Sequence, residues 1–187
     1  MSIYFGADNT VLHSGDVGGG KILQVKRTER TAIRATAHNG SSWSEALESQ
    51  FRVAITPTAS GNTLLAFAQL PYAASNGTLG GMVLVHHDTV TNANTAMAGY
   101  CPSGGSYGTP ANVLSNNGWF YEDLRNNAGN TQWFTTWKQG VFQVSNTNAA
   151  SIRLFSRNSA GGFTFGDNQQ AAAIIVFEIE GSVYIGS

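Results

Sequence analysis

The chain has one cysteine, four prolines and few charges among its 187 residues. A single thiol, Cys101, excludes an internal disulfide, so strength has to come from packing or assembly. Its turn-like setting, Gly-Tyr-Cys-Pro-Ser-Gly-Gly, offers no nearby basic residue to activate it. Charged residues make up 11% of the chain, where about a quarter is usual. Ten Lys and Arg stand against eleven Asp and Glu, which removes the basic footprint expected of a nucleic-acid or anionic-membrane partner. No run approaches the ~18 apolar residues of a spanning helix. The first six residues also lack the basic-then-apolar pattern of a secretory leader. These absences lead us to expect a soluble protein made in the cytoplasm of its producer. Sustained helical periodicity is missing too, and with it helical bundles and alternating α/β folds.

What the chain does have is 22 glycines, many Asn, Ser and Thr, and short β-prone segments between polar loops. Residues 2–5 and 10–13 flank Gly6-Ala7-Asp8-Asn9 and read as a small hairpin. Gly18-Gly19-Gly20 has too much conformational freedom for a regular element, so residues 1–20 read as an attachment arm and 21–187 as a head. Residues 21–36 contain a long strand candidate whose apolar side chains are Ile22, Val25 and Ile33, with basic and hydroxyl residues toward water. Residues 37–48 read as a polar loop that includes a helical turn from Ser44. In 50–56, Phe51, Val53 and Ile55 alternate with polar residues up to Pro57, as in a half-buried strand. Residues 63–70 are apolar on both faces, a central strand that Pro71 ends. Further strands are expected at 82–90, 132–138, 141–144, 151–157 and 172–179. The fold class is all-β, an antiparallel jelly-roll-type β-sandwich with a short N-terminal arm or hairpin.

Apparent chemical motifs have simpler structural readings. Gly15-Asp16-Val17-Gly18-Gly19-Gly20-Lys21 matches the start of a phosphate loop, but Ile22 stands where Mg²⁺ needs Ser or Thr, and a strand follows where a helix is required. His86-His87-Asp88 lies on a strand, so His86 and Asp88 share a face and could share a metal while His87 points away; His13 and His38 add nothing specific. Glu178 and Glu180 resemble a glycosidase pair only in type, since catalytic carboxylates come from different elements. A solvated strand end, or an ion pair with an arginine, is the expectation. No Gly-x-Ser-x-Gly elbow is present. Neither a catalytic residue nor a cofactor is expected.

Residues 91–130 form a long segment rich in Gly and Asn that nonetheless carries Tyr100, Tyr107, Trp119, Phe120 and Tyr121. A loop of that length is functional or ordered against a neighbour, and these aromatics are its candidate interface or glycan contacts. Trp43, Trp133 and Trp137 could stack on sugars through their flat faces, but core or subunit packing is the stronger reading. Low surface charge with abundant aromatics predicts a homo-oligomer.

Three segments in order, Lys21-Ile22-Leu23-Gln24-Val25, Ala54-Ile55-Thr56-Pro57-Thr58-Ala59-Ser60-Gly61-Asn62-Thr63-Leu64-Leu65 and Ile175-Val176-Phe177-Glu178-Ile179-Glu180-Gly181, resemble a phage structural module. It is the β-sandwich domain of tail-fibre and related appendage proteins of marine and cyanobacterial phages. The resemblance spans about residues 20–181, with the middle loops unmatched. It implies a jelly-roll head in a virion, commonly trimeric, with no catalytic residues. On this reading the arm, through Ile3, Tyr4, Phe5, Val11 and Leu12, anchors to another virion protein, and the distal loops contact a host surface glycan. The alternatives are a capsid decoration or cement protein and, in another class, a carbohydrate-binding lectin-like module.

Overall fold

In the computed structural model of the chain, the described residues are 3–4, 11–12, 20–30, 36–38, 43–45, 51–74, 78–97, 124–126, 132–160, 163–165 and 171–182. Among them no helix is long and apolar enough to cross a membrane. The strands are β1 (Ile3–Tyr4), β2 (Val11–Leu12), β3 (Ile22–Arg30), β4 (Thr36–His38), β5 (Ser44–Glu45), β6 (Arg52–Ile55) and β7 (Thr63–Ala74). They continue with β8 (Thr78–Asp88), β9 (Ala93–Ala96), β10 (Leu124–Asn126), β11 (Gln132–Gln143), β12 (Ala150–Ala160), β13 (Phe163–Phe165) and β14 (Ala172–Ile179). β1 and β2 form a two-stranded antiparallel sheet, with Ile3 opposite Leu12 and Tyr4 opposite Val11. This is the hairpin that the intervening turn residues suggest; Phe5 lies outside the described residues.

The other strands build two antiparallel sheets. The first runs β3, β14, β7, β11, with β13 following β14 along the flank of β7 and β4 beyond it. The second places β5 and β6 along one flank of β12, then β8, with β9 and β10 along the far flank of β8. The pairing is nested. β3 meets β14, β6 meets β12, β7 meets β11 and β8 meets β9, which is one long hairpin wound into two sheets, the antiparallel jelly roll.

Period-two alternation decides what lies between the sheets. Leu64, Ala66, Ala68, Leu70 and Tyr72 of β7 and Ala172, Ile174 and Val176 of β14 face inward from the first sheet. Phe51 and β6's Val53 and Ile55, with Met82, Leu84, Ile152 and Leu154, face them from the second. Burying each Leu, Ile or Phe contributes about 1.5–3 kcal/mol, the main source of stability in a chain with no disulfide. Burial also shifts the Tyr72 hydroxyl upward from its ordinary pKa.

Several local expectations are corrected. Ser44 lies in a strand because β12 offers Ser44 and Glu45 a ladder; a two-residue pairing has no sequence signal of its own. β7 runs through Pro71 to Ala74. On one flank Pro71 lies opposite Thr135 of β11, and on the other it falls in the gap between Gln69, paired with β14, and Tyr72, paired with β13, a break in the ladder that accommodates a proline. β11 is one strand across Gly140, where the sequence suggested a break. A Cβ at Gly140 would stand 2.8 Å from Met97 Cβ and 3.2 Å from Leu84 Cβ, so glycine here permits close sheet-to-sheet approach. In β3, Ile22 and Val25 are 51% and 52% exposed, while Leu23, Gln24 and Thr28 are half-buried. Ile33 lies outside the described residues. Thr28 Oγ1 donates to the Arg52 carbonyl at 2.7 Å, which ties the first sheet to the second.

Candidate functional site

The three segments that carry the phage-module resemblance meet at one end of the sandwich. Glu178 continues the inward parity of Ile174 and Val176, so its side chain is fully buried at the end of β14. Its Oε1 accepts from the Thr58 N–H at 2.7 Å, the Thr58 hydroxyl at 2.9 Å and Asn62 Nδ2 at 2.6 Å. Its Oε2 accepts from Gln24 Nε2 at 2.5 Å, and the same amide donates to the Thr56 carbonyl at 2.8 Å. Asn62 also donates to Thr58 Oγ1 at 3.1 Å and accepts from the Gly181 N–H at 3.1 Å, while Thr63 Oγ1 donates to the Gly181 carbonyl at 2.9 Å. Every partner named is neutral. Burial pushes the Glu178 carboxyl up, but the bonds from Asn62, Gln24 and Thr58 outweigh it and hold the pKa below the ordinary value. The expected solvated strand end or arginine pair is therefore overturned. Glu180 lies past the strand end, exposed, so the two carboxylates do not share a surface.

The network continues through the β11–β12 connection. The Gly61 N–H donates to the Val144 carbonyl at 2.8 Å, the Val144 N–H to the Asn62 carbonyl at 2.9 Å, and Ser60 Oγ to the Ser145 carbonyl at 2.9 Å. Two residues on, Asn146 Nδ2 and Asn148 Nδ2 donate to Asp88 Oδ2 at 3.4 and 2.8 Å. Asp88 Oδ1 accepts from the N–H groups of Thr91 and Val90 at 3.0 and 2.8 Å, fixing the turn after β8. Bonds from Thr91 and Asn148, with smaller ones from Val90 and Asn146, depress the Asp88 pKa strongly against a counteracting desolvation. His86 goes elsewhere. Its ring stacks on Phe142 at 4.1 Å between centroids and 14° between planes, and burial lowers its pKa despite nearby Asp88. His87 Nδ1 lies 2.9 Å from Asn94 Oδ1. Among the described residues no group of three or more metal-ligating side chains is gathered, and the His86–Asp88 shared face holds a stacked ring and a turn cap.

Gly20 and Lys21 lie at this same end. The Glu180 N–H donates to the Lys21 carbonyl at 2.9 Å, and a Cβ on Gly20 would overlap the Glu180 carbonyl. Gly20, read from sequence as part of a free linker, is thus a tight contact.

A second feature is the outward face of the first sheet. Register sets its side chains in rows: Val25, Phe177, Leu65, Val141; then Arg27, Ile175, Phe67, Gln139; then Glu29, Ala173, Gln69, Trp137. The first row is apolar across all four strands. Phe67 and Phe177 meet edge to face at 6.2 Å and 83°. Arg27 and Glu29 pair at 2.7 Å along one margin, and Trp137, 67% exposed, stands at the other. Trp137 was expected to be packed; within a single chain it faces out, because its parity is opposite to that of buried Gly140.

On the other sheet Arg52 grips Glu45 through both carboxylate oxygens at 2.5 and 2.6 Å, and Arg153 lies 3.6 Å from the same carboxylate. That bond to Glu45 raises the Arg52 pKa above its ordinary value against an opposing desolvation.

Of the residues proposed from sequence, Ile3, Tyr4, Val11 and Leu12 lie in the N-terminal hairpin. Tyr100, Tyr107, Trp119, Phe120 and Tyr121 lie outside the described residues. The residues that sequence reasoning passed over are Gln24, Thr58 and Asn62, while Glu178 was noticed and given the wrong setting. Counting parity back from Glu178 to Val176 and Ile174 was the available signal for a buried carboxylate.

No family model matches the chain, and no curated protein matches it in sequence. Among solved structures it is similar to a structure of Eiger TNF from S. frugiperda, at 11% identity and a TM-score of 0.41, covering 89% of this chain and 99% of that one.

Proposed function

We propose that this chain is a non-enzymatic structural protein of a bacteriophage particle, a short tail-fibre or knob-like appendage that self-assembles, as a trimer, and contacts the host surface. One observation carries the reading. The three segments that resemble the phage appendage module are far apart in sequence, yet they converge on a single buried network around Glu178. A shared device of that kind holds a head together. Its carboxylate is fully buried and accepts from four donors, three on Oε1 and one on Oε2, a setting that suits a structural role. The chain's junction at Gly20 and Lys21 beside Glu180 suits an arm that anchors to another virion protein.

The test is direct. Antibodies raised against the full chain are applied to purified phage particles under the electron microscope. Label at the tail tip or fibres supports the appendage reading, label over the capsid moves the protein to a decoration role, and unlabelled particles that also lack its peptides by mass spectrometry end the virion reading. Glycan binding by a stable monomer that is absent from particles would favour a lectin-like module.

A further inference from the structure

We propose that the outward face of the β3–β14–β7–β11 sheet is the subunit interface, and that its occupant is further copies of this same chain arranged about a rotation axis. This rests on the self-assembly part of the reading above and names the surface that performs it.

The face has the layout of an association surface. Its centre is Phe177, Leu65, Phe67 and Ile175, half-buried already, and its margins carry an ion pair, Arg27–Glu29, and glutamines. An apolar, aromatic-rich centre inside a polar rim is what subunit contacts share. Charge argues for a copy of the chain over other partners. The one cation and one anion in these rows neutralise each other, so the face makes no electrostatic demand on a nucleic acid, an anionic lipid or an acidic peptide. With ten basic and eleven acidic residues, two copies meet without net repulsion.

Area points to a ring. Four strands at ~4.8 Å spacing and about six residues at ~3.4 Å give a projected patch of about 400 Å². A standard stable contact needs about 800 Å² per partner. One flat face against another falls short, whereas three or more copies around an axis add the strand edges on either side, β3 and β11, to the contact. Trp137, on the β11 margin, then lies where neighbouring subunits meet.

The experiment compares the full-length wild type with Val25→Glu/Trp137→Glu by light scattering and by acrylamide quenching, using Trp137→Phe to isolate the Trp137 signal. Both substituted positions are more than half exposed, so the variant folds, which circular dichroism checks. We expect a wild-type oligomer of at least three chains with Trp137 shielded several-fold, and a variant that is monomeric at a hundredfold higher concentration than the wild type needs to assemble. A wild-type oligomer whose mass is unchanged in the variant, with Trp137 freely quenched, would overturn this interface and leave self-assembly standing. A monomeric wild type removes both; if Trp137 is nevertheless shielded, a segment of its own chain covers the face.

Discussion

The two sheets of the sandwich treat their outer faces differently. On the second sheet, β8 is buried on both sides. Val83 and Val85 are 5% and 0% exposed, and they pack outside the main core with Ala96 and with partly buried Trp43 and Phe155. On the first sheet an equally apolar row, from Val25 through Phe177 and Leu65 to Val141, stays half open. Chemistry of the same kind thus contributes to folding on one side, where the chain covers it, and stays half open on the other, where we propose that it serves association. Neither the apolar content nor the strand pattern distinguishes the two. The distinction lies in which face the rest of the chain folds over.

The sharpest way to break this picture is to attack the network that holds both sheets at one end. Glu178→Ala leaves the Thr58 N–H, Asn62 amide and Gln24 amide without their acceptor, and urea unfolding should register a loss of about 3 kcal/mol or more. Glu178→Gln should cost less, about 1–2 kcal/mol, because only the Gln24 side then faces donor to donor. If the alanine variant unfolds at the wild-type midpoint, the network is decoration and the two outer faces are set by something else.

Gly140→Ala tests the spacing of the sheets themselves. Its methyl group meets Met97 Cβ at 2.8 Å, an atom too close to the backbone to swing away, so a cost of about 1–3 kcal/mol is expected. A melting temperature within error of the wild type would show that the sheets have slack.

Acid should act through the two buried carboxylates. Glu178 and Asp88 both have folded pKa values below their unfolded ones. Their stabilisation is complete above the unfolded values, about 4, and is lost as pH falls through the folded values. Urea midpoints should therefore hold steady down to about pH 5 and fall below about pH 4. The fall should be shallower in Glu178→Gln, and an identical slope in the variant would remove Glu178 from the account. The smallest expected effect on the single chain belongs to Val25→Glu/Trp137→Glu. Thermal unfolding of its monomer should shift by no more than about 0.5 kcal/mol, as for exposed sites elsewhere. A larger shift would mean the open face already supports the fold.

Much of the jelly roll was legible in the chain. The alternation of Phe51, Val53 and Ile55 and the bounds of β14 follow from period two, and the Gly6–Asn9 turn marks the hairpin. The errors have physical causes. Gly140 and Pro71 act as breakers only when neighbours require a Cβ or an N–H at that point, and which neighbours are present is a property of the sheet. The orientation of β3 was misread because Gln24 is turned inward by a partner 154 residues away. Glu178 was misplaced for a related reason. A carboxylate at a core position looks like a strand end until its donors, distant in sequence, are counted.

The position of the Glu178 network also sets how the head would carry load. Tension transmitted from residues before Gly20 reaches the head at Lys21, whose carbonyl is bonded to the Glu180 N–H, and then at Gln24, clamped to Glu178. The first and last long strands are thus riveted together where a pull from the preceding residues arrives. To peel β3 away from its start, a force must break the backbone bond at Lys21 and then the charge-assisted bond from Gln24 to Glu178.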